Sequence, residues 1–234
     1  MRIGILMTNT DESPFAAAHP GDGEKWRAAL APMCPDCAFP VYAVKDGRFP
    51  KHVGAHDGFI ITGSPASVND LAPWLDRLFG LIREAVAAGV PLFGACFGHQ
   101  AIALALGGAV EDNPGGWVFG TITTEVKAPA PWMEAGQVRQ YAAHVEQVTR
   151  LPEGAKVVMG NEDCPVGGFV IGQRVFTTQY HPEMTHAFVT ALIEEYAAKL
   201  PAGVARSAQD SLAERADNAA VARWIMDFFR QAQG

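Results

Sequence analysis

The stretch Val90-Pro91-Leu92-Phe93-Gly94-Ala95-Cys96-Phe97-Gly98-His99-Gln100 decides the fold. Its first six residues carry no polar side chain, and such an apolar run is typical of a parallel strand buried on both faces. Residues 101–106 follow as a short apolar helix that ends at Gly107-Gly108. Between strand and helix, the pattern Gly-x-Cys-x-Gly predicts a sharp turn that holds Cys96 at its tip.

The segments before this turn alternate between strands and helices. Residues 2–8, 39–44 and 58–62 predict three more strands, the second near an edge because Pro40 cannot donate to a sheet. Residues 24–33 predict a helix. A further helix that ends at Gly89 is predicted by an apolar stripe at steps of three and four: Leu71, Trp74, Leu75, Leu78, Leu81, Ile82 and Ala85.

The second half of the chain has short strand patterns separated by Gly, Pro and Asn, at 117–127, 138–143, 156–160, 167–171 and 174–180. They predict the antiparallel side of a mixed sheet. Helices are predicted at 185–199 and 208–232, with Trp224, Ile225, Phe228 and Phe229 as the docking face of the second. The predicted fold is α/β, a mixed, mostly parallel central sheet flanked by helices. We expect one domain over 1–200 and a helical extension, 201–234, packed on it.

Composition narrows the class of protein. The 234 residues are 49% hydrophobic and 18% charged, as expected for a globular protein rather than a disordered one. The net charge of −7, without a Lys/Arg cluster, argues against nucleic acid as a partner. Apolar stretches fall far short of the ~20 residues of a membrane span, and residues 1–12 lack a signal-peptide pattern. A cytoplasmic protein without a membrane partner is therefore expected, with its four cysteines mostly reduced.

Cys96 is the strongest candidate for chemistry. At a helix N-terminus, the helix dipole and unpaired N–H groups favour a thiolate, and the N–H of Phe97 faces the place where an oxyanion would form. The alternative is a buried structural cysteine whose neighbouring glycines serve only packing. A thiolate nucleophile also needs a proton carrier and a group that orients the carrier.

His181 and Glu183 supply both groups in Tyr180-His181-Pro182-Glu183, after the last predicted strand. Sites in open α/β sheets lie at the carboxyl ends of parallel strands, which places this triplet near Cys96. In α/β-hydrolases the acid precedes the histidine along the chain. The order Cys96, His181, Glu183 disfavours that fold.

The remaining cysteines and histidines carry weaker signals. Cys34 and Cys37 form a Cys-x-x-Cys pattern that could be a zinc half-site or a redox pair, but no second pair completes four ligands, so a structural role is preferred. Cys164 is expected in the core. The acidic stretch 208–217 is expected to be a solvated helix face. The histidines without a partner pattern are expected at the surface or in loops: His19, His52, His56 and His186.

With these motifs assembled, the chain resembles the class I (triad) glutamine amidotransferase family. The matching residues are Gly94–Gln100, the turn Thr62-Gly63-Ser64-Pro65 and the triplet His181-Pro182-Glu183. Three segments before the triplet are similar to the glutaminase domain of GMP synthase: 151–154, 164–166 and 176–180. The resemblance covers about residues 1–198 and implies a flavodoxin-like sheet.

The resemblance implies a role for each matching residue. Cys96 would attack the γ-carboxamide of glutamine, His181 would carry protons and Glu183 would orient His181. The backbone N–H groups of Ser64 and Phe97 would form the oxyanion hole. Substrate-binding positions implied by the family are Gly63, Gln100, Gly116, Trp117, Gly120 and His144. The family often has Gly at the position of Ser64 and Asp at the position of Glu146.

Three functions follow as hypotheses. The first is a glutamine amidotransferase that releases ammonia for a synthetase partner, since the residues after the triplet carry no P-loop or ATP-pyrophosphatase signature. The second is a γ-glutamyl hydrolase acting on glutathione-like compounds, whose pocket the long loop 9–23 could shape. The third is a non-catalytic regulatory or binding protein on the same fold. No metal and no organic cofactor is expected.

Overall fold

A computed structural model describes residues 1–233. Within them lie eleven strands: β1 Ile3–Met7, β2 Val41–Ala43, β3 Gly58–Ile61, β4 Leu92–Ala95, β5 Ala109–Asp112, β6 Val118–Val126, β7 Gly136–His144, β8 Glu146–Arg150, β9 Ala155–Gly160, β10 Gly168–Ile171 and β11 Val175–Thr178. The same residues form seven α-helices: α1 Pro14–Ala17, α2 Asp22–Leu30, α3 Pro73–Ala87, α4 Phe97–Ala105, α5 His186–Tyr196, α6 Val204–Ser211 and α7 Asn218–Gln231.

Nine strands form the central sheet, in the order β2-β1-β3-β4-β11-β10-β9-β6-β7. The five strands from β2 to β11 are mutually parallel, and the strands from β10 to β7 pair antiparallel. The central strand β4 is buried at every residue, as its apolar sequence predicts. The mixed, mostly parallel sheet between helices confirms the predicted fold class.

Helices cover both faces of the sheet because successive strand residues point to opposite sides. Phe93 of β4 packs on the side of α2 and α7, in one hydrophobic cluster with Trp26 and Phe228. Its neighbour Leu92 packs on the other side, in a cluster with residues of α3 and α4. The predicted docking face of α7 is buried as expected: Trp224, Ile225, Phe228 and Phe229.

Two predicted helices have different bounds in the structure. Helix α3 begins at Pro73, so Leu71 lies before it and is fully exposed; its place in the apolar stripe was wrong. The single helix predicted over 208–232 is also wrong, because α6 and α7 flank a break at 212–217. Within the break, Asp217 accepts a hydrogen bond from the backbone N–H of Arg139 (2.8 Å), and Glu214 pairs with the side chain of Arg139. These contacts tie the acidic stretch to β7, so it is more than a solvated face.

Three further predictions need correction. Strands β5 and β8 pair in a separate two-stranded sheet that the sequence patterns missed. His56, expected at the surface, is buried and shares a hydrogen bond with the hydroxyl of Tyr42 (2.8 Å). Cys34 and Cys37, expected to be reduced, are joined by a disulfide. Cys164 is buried as predicted.

No helix within residues 1–233 is both long and apolar enough to cross a membrane.

Two glycines allow the turn between β4 and α4 to pack closely. A Cβ atom at Gly98 would lie 2.2 Å from the carbonyl oxygen of Ile61 in β3. At Gly94 it would lie 2.5 Å from the carbonyl oxygen of Gly98. Real Cβ atoms do not approach backbone this closely, so any side chain at either position would push the helix away from the sheet.

We expect Gly98→Ala to lower the free energy of unfolding by about 1–3 kcal/mol, because the new methyl group would meet backbone that cannot rotate away. Gly80→Ala is the matched control. Gly80 lies inside α3 with open space around its Cβ position, so alanine should stabilise the helix by about 0.5–1 kcal/mol. Urea unfolding of both variants measures the difference. A Gly98→Ala protein as stable as wild type would contradict this account.

Candidate active site

Cys96 occupies the strained turn that the sequence predicts. Its φ of +50° and ψ of −109° make it the one non-glycine residue with positive φ among residues 1–233. Its backbone N–H donates to the carbonyl of Thr178 in β11 (2.9 Å), and its carbonyl accepts from the N–H of Gln100 in α4 (3.1 Å). The neighbouring strand and helix thus fix the backbone, and such strain is a recognised mark of functional positions.

His181 and Glu183 lie just after β11, the strand that pairs with β4. The Nδ1–H of His181 donates to a carboxylate oxygen of Glu183 at 2.8 Å, and both side chains are buried. The backbone N–H of His181 also donates to the carbonyl of Tyr141 in β7 (2.9 Å). The carboxylate of Glu183 therefore holds the imidazole, and the bond to β7 fixes the backbone of His181.

The electrostatics of this pair set it apart from the other buried histidines. Burial alone would lower the pKa of His181, but the negative charges of Cys96 and Glu183 outweigh burial and raise the pKa well above its usual range. His99 and His144 have no carboxylate partner. Burial lowers their pKa values to about 3 and about 4, so both are neutral at pH 7.

Gly63 brings the turn after β3 against these groups. A Cβ atom at Gly63 would lie 2.8 Å from Cε1 of His181 and 3.7 Å from Cβ of Cys96. The hydroxyl of Thr8 in turn donates to the carbonyls of Thr62 and Gly63, at 3.0 and 3.1 Å, which fixes the turn on β1. This turn carries the predicted oxyanion donor Ser64. The other predicted donor, Phe97, is the first residue of α4, where backbone N–H groups have no partner within the helix.

A cavity of about 730 Å³ opens at Cys96. It brings together six of the predicted site residues: Cys96, His181, Glu183, Gly63, Ser64 and Trp117. The segment 9–22 forms much of the remaining wall, and it belongs to the loop that the γ-glutamyl hydrolase hypothesis assigned to the pocket. Phe188, Leu192 and Tyr196 of α5 also line the cavity, and the predictions did not include them. The spacing of four between these three α5 residues was the available signal, since it places them on one helix face.

The other predicted substrate-binding residues lie outside this cavity wall. Gln100 and His144 both hydrogen-bond the backbone carbonyl of Glu146, at 2.8 and 3.0 Å. Gly120 faces α6, where a Cβ atom would lie 2.8 Å from the carbonyl of Ala208. Gly116 closes the turn after β5, with its N–H on the carbonyl of Asn113 (2.8 Å). A role of these four residues in substrate binding stays a prediction.

Within residues 1–233, no group of three or more His, Cys, Asp or Glu side chains is arranged to hold a metal ion.

We expect Glu183→Gln to lower the pKa of His181, because the substitution removes one of the two charges that raise it. An NMR titration of the imidazole measures the pKa. Since the pKa of His181 is higher in the folded than in the unfolded protein, its contribution to stability is fully present below about pH 6.5 and is lost as the pH rises through the folded value. Glu183→Gln should therefore lower the free energy of unfolding mainly at pH values below the pKa of His181 in the folded protein.

Glu195→Gln is the control for this titration, because Glu195 lies on the exposed side of α5 and pairs there with Lys199 (3.1 Å). An unchanged pKa of His181 in Glu183→Gln, or an equal change in both variants, would rule out the carboxylate as the cause.

Comparison with known proteins places this arrangement in a family. A family model described as glutamine amidotransferase class-I matches residues 41–195. A glutamine amidotransferase-like protein of Schizosaccharomyces pombe is 28% identical over 141 residues, which are 59% of this chain and 57% of that protein. A glutamine-hydrolyzing GMP synthase of Aromatoleum aromaticum is 33% identical over 140 residues, 55% of this chain. The match covers only 26% of that synthase.

Solved structures agree in fold over nearly the whole chain. A glutamine amidotransferase from Thermotoga maritima superposes with a TM-score of 0.76 at 18% identity, covering 100% of this chain and 98% of that one. A glutamine amido transferase from Methylobacillus flagellatus gives a TM-score of 0.74 at 22% identity, with 98% and 94% covered. The matched family model covers more than half of the chain and includes Cys96, His181 and Glu183. The protein therefore belongs to the class I glutamine amidotransferase family.

Proposed function

We propose that the protein hydrolyses the γ-carboxamide of glutamine through a thioester on Cys96. The observation that carries this proposal is the shared cavity: Cys96 on its strained turn opens into the same space as the buried His181–Glu183 pair. A thiol nucleophile, a proton carrier and a group that orients the carrier are the parts that acyl transfer needs. The family supports the same reaction class.

The first half of the reaction uses the ion pair. The thiolate of Cys96 attacks the γ-carbonyl carbon, and the oxygen becomes an oxyanion that the N–H groups of Ser64 and Phe97 stabilise. Protonated His181 then donates its proton to the nitrogen as the C–N bond breaks. Ammonia leaves and the γ-glutamyl group stays on Cys96 as a thioester. The raised pKa of His181 favours this step because it keeps the proton available at neutral pH.

The second half regenerates the thiolate. Neutral His181 takes a proton from water, and the resulting hydroxide attacks the thioester carbon. The C–S bond breaks, glutamate leaves, and Cys96 returns as thiolate beside protonated His181. Glu183 holds the imidazole by its Nδ1–H during both steps, so that Nε2 is the atom that moves the proton.

A partner protein that consumes the ammonia is part of this proposal. The curated relatives include GMP synthases that hydrolyse glutamine, and the match covers about a quarter of their length. By this analogy, the present chain would supply ammonia to a synthetase carried on another chain or segment. Cytoplasmic localisation and the division of the chain at residue 200 remain predictions.

A γ-glutamyl hydrolase is the second candidate, and the size of the cavity favours it. Ammonia is about as large as water, which occupies roughly 30 Å³ in the liquid. A cavity of about 730 Å³ leaves room for a much larger leaving group.

Cys96→Ser is expected to abolish glutamine hydrolysis and covalent labelling by an electrophilic glutamine analogue while leaving the fold intact. Ammonia release and mass spectrometry of the labelled protein measure the two effects. Cys164→Ser is the control, since Cys164 is also buried and unbridged but lies outside the cavity wall. Undiminished turnover in Cys96→Ser would show that Cys96 is not the nucleophile. Labelling without turnover in wild type would instead favour a binding or regulatory role.

We expect His181→Ala to reduce kcat more than Glu183→Gln, because the first removes the proton carrier and the second disturbs only its orientation and charge. Loss of general acid–base catalysis typically costs about 10²–10⁴-fold. Steady-state kinetics of both variants with glutamine give the ranking. The reverse ranking would contradict the assigned roles.

A further inference from the structure

Part of the wall of the cavity at Cys96 is lined by aromatic rings. We name it the leaving-group subsite and define it by Phe15, His19, Trp117, Phe188, Leu192 and Tyr196. We propose that this subsite receives the amine portion of a γ-glutamyl amide, and that the amine carries an uncharged, apolar substituent of aryl-alkyl size. The proposal rests on the thioester chemistry of Cys96 and specifies its substrate class.

Three rings of the subsite form one cluster. The ring centroids of Phe15 and Phe188 lie 5.9 Å apart, and the ring of His19 lies 4.3 Å from Phe15 and 5.4 Å from Phe188. All three residues are only partly buried, although together they form an apolar surface at the cavity. An apolar substituent placed there would remove this surface from water.

The charges of the cavity wall decide against an anionic leaving group. Both lysines in the wall are already paired: Lys25 lies 3.0 Å from Asp22, and Lys45 lies 2.8 Å from Glu12. The Nζ of Lys25 also sits 3.6 Å over the ring of Phe188. Among the described residues of the wall, no lysine or arginine is left without a carboxylate partner to neutralise a carboxylate on the leaving group. Asp11, whose carboxylate accepts the N–H of Ser13 (2.9 Å), adds negative charge to the same wall.

The segment 9–24 of the cavity wall is ordered by its own hydrogen bonds, without a bound substrate. A chain of short-range hydrogen bonds shapes the segment 9–24. Asn9 accepts from the N–H of Asp11 (2.8 Å), Ser13 accepts from the N–H of Ala16 (3.2 Å), and Glu24 accepts from the N–H of Gly21 (2.9 Å). A preformed wall spares the entropic cost of ordering a loop when the ligand binds.

The balanced reaction follows from the proposed mechanism. The C–N bond of the secondary amide breaks, the nitrogen takes the proton of His181, and the amine leaves through the leaving-group subsite. Water then hydrolyses the thioester on Cys96. The sum is γ-glutamyl amide plus water to glutamate plus free amine.

Four substrates test the proposal on the full chain: glutamine, γ-glutamylmethylamide, γ-glutamylphenethylamide and γ-glutamylphenylalanine. The last two carry the same aryl-alkyl group and differ by one carboxylate. We expect kcat/KM for the phenethylamide to exceed that for the methylamide by about tenfold or more. The carboxylate of γ-glutamylphenylalanine should remove most of this preference.

Phe188→Ala is expected to lower the ratio of kcat/KM for the phenethylamide to that for the methylamide by about tenfold, and Phe15→Ala provides a second test on a separate element. Phe49→Ala is the matched control. Phe49 is also a partly buried phenylalanine under a cation, with Arg77 at 4.2 Å, but it lies outside the cavity wall. For Phe49→Ala, the ratio of the two kcat/KM values should equal that of the wild-type protein.

The outcomes separate this proposal from the proposed function. If Cys96-dependent cleavage is seen but the phenethylamide is not preferred, the subsite is wrong and the thioester chemistry stands. The same conclusion follows if the Phe15 and Phe188 variants change the ratio no more than Phe49→Ala. If no substrate is cleaved in a Cys96-dependent manner, the proposed function fails and the subsite fails with it.

Discussion

The carbonyl oxygen of Ile61 occupies the space that a side chain at position 98 would need. Because β3 and the first turn of α4 are in contact here, the chain must pass from β4 into α4 in a sharp turn of one residue. Cys96 takes that place with positive φ, a conformation that costs a non-glycine residue about 1–3 kcal/mol. Packing around the turn must offset this cost, and β4, the strand before the turn, is buried at every residue.

The register of the parallel strands assembles the rest of the site. Gly94 lies opposite Ile61 on one side and Thr177 on the other, and Ala95 lies opposite Thr178. The carboxyl ends of β3, β4 and β11 therefore meet at one edge of the sheet, and the residues that follow them are Gly63, Cys96 and His181. A shift of register by one residue would turn every side chain of a strand to the other face and separate the three.

The sequence was most informative where a pattern is long or strongly constrained. The apolar run of β4, the two glycines around Cys96 and the triplet at His181 predicted the fold class and the placement of these residues. Features decided by tertiary contact were missed. Strands β5 and β8 are short and partly exposed, so neither carries a clear periodic pattern.

A distant contact also explains one of the two helices with wrong bounds. Contacts of Glu214 and Asp217 with Arg139 interrupt the predicted last helix, although Arg139 lies more than 70 residues earlier. Leu71 follows the helical spacing of its neighbours, but Pro73 starts α3 after it. The end of the last helix thus depends on a partner that local sequence does not specify, whereas Pro73 was a local signal for the start of α3.

Among the buried histidines of residues 1–233, only His181 shares a hydrogen bond with a carboxylate. His99 shares a hydrogen bond with the hydroxyl of Thr177, and His144 with a backbone carbonyl, and neither neutral partner offsets burial. At His181 the charges of Cys96 and Glu183 together offset it. The turn that holds Cys96 and the triplet that holds Glu183 thus convert a histidine that burial would keep neutral into a proton donor. The charge of the site therefore depends on two motifs that only the fold brings together.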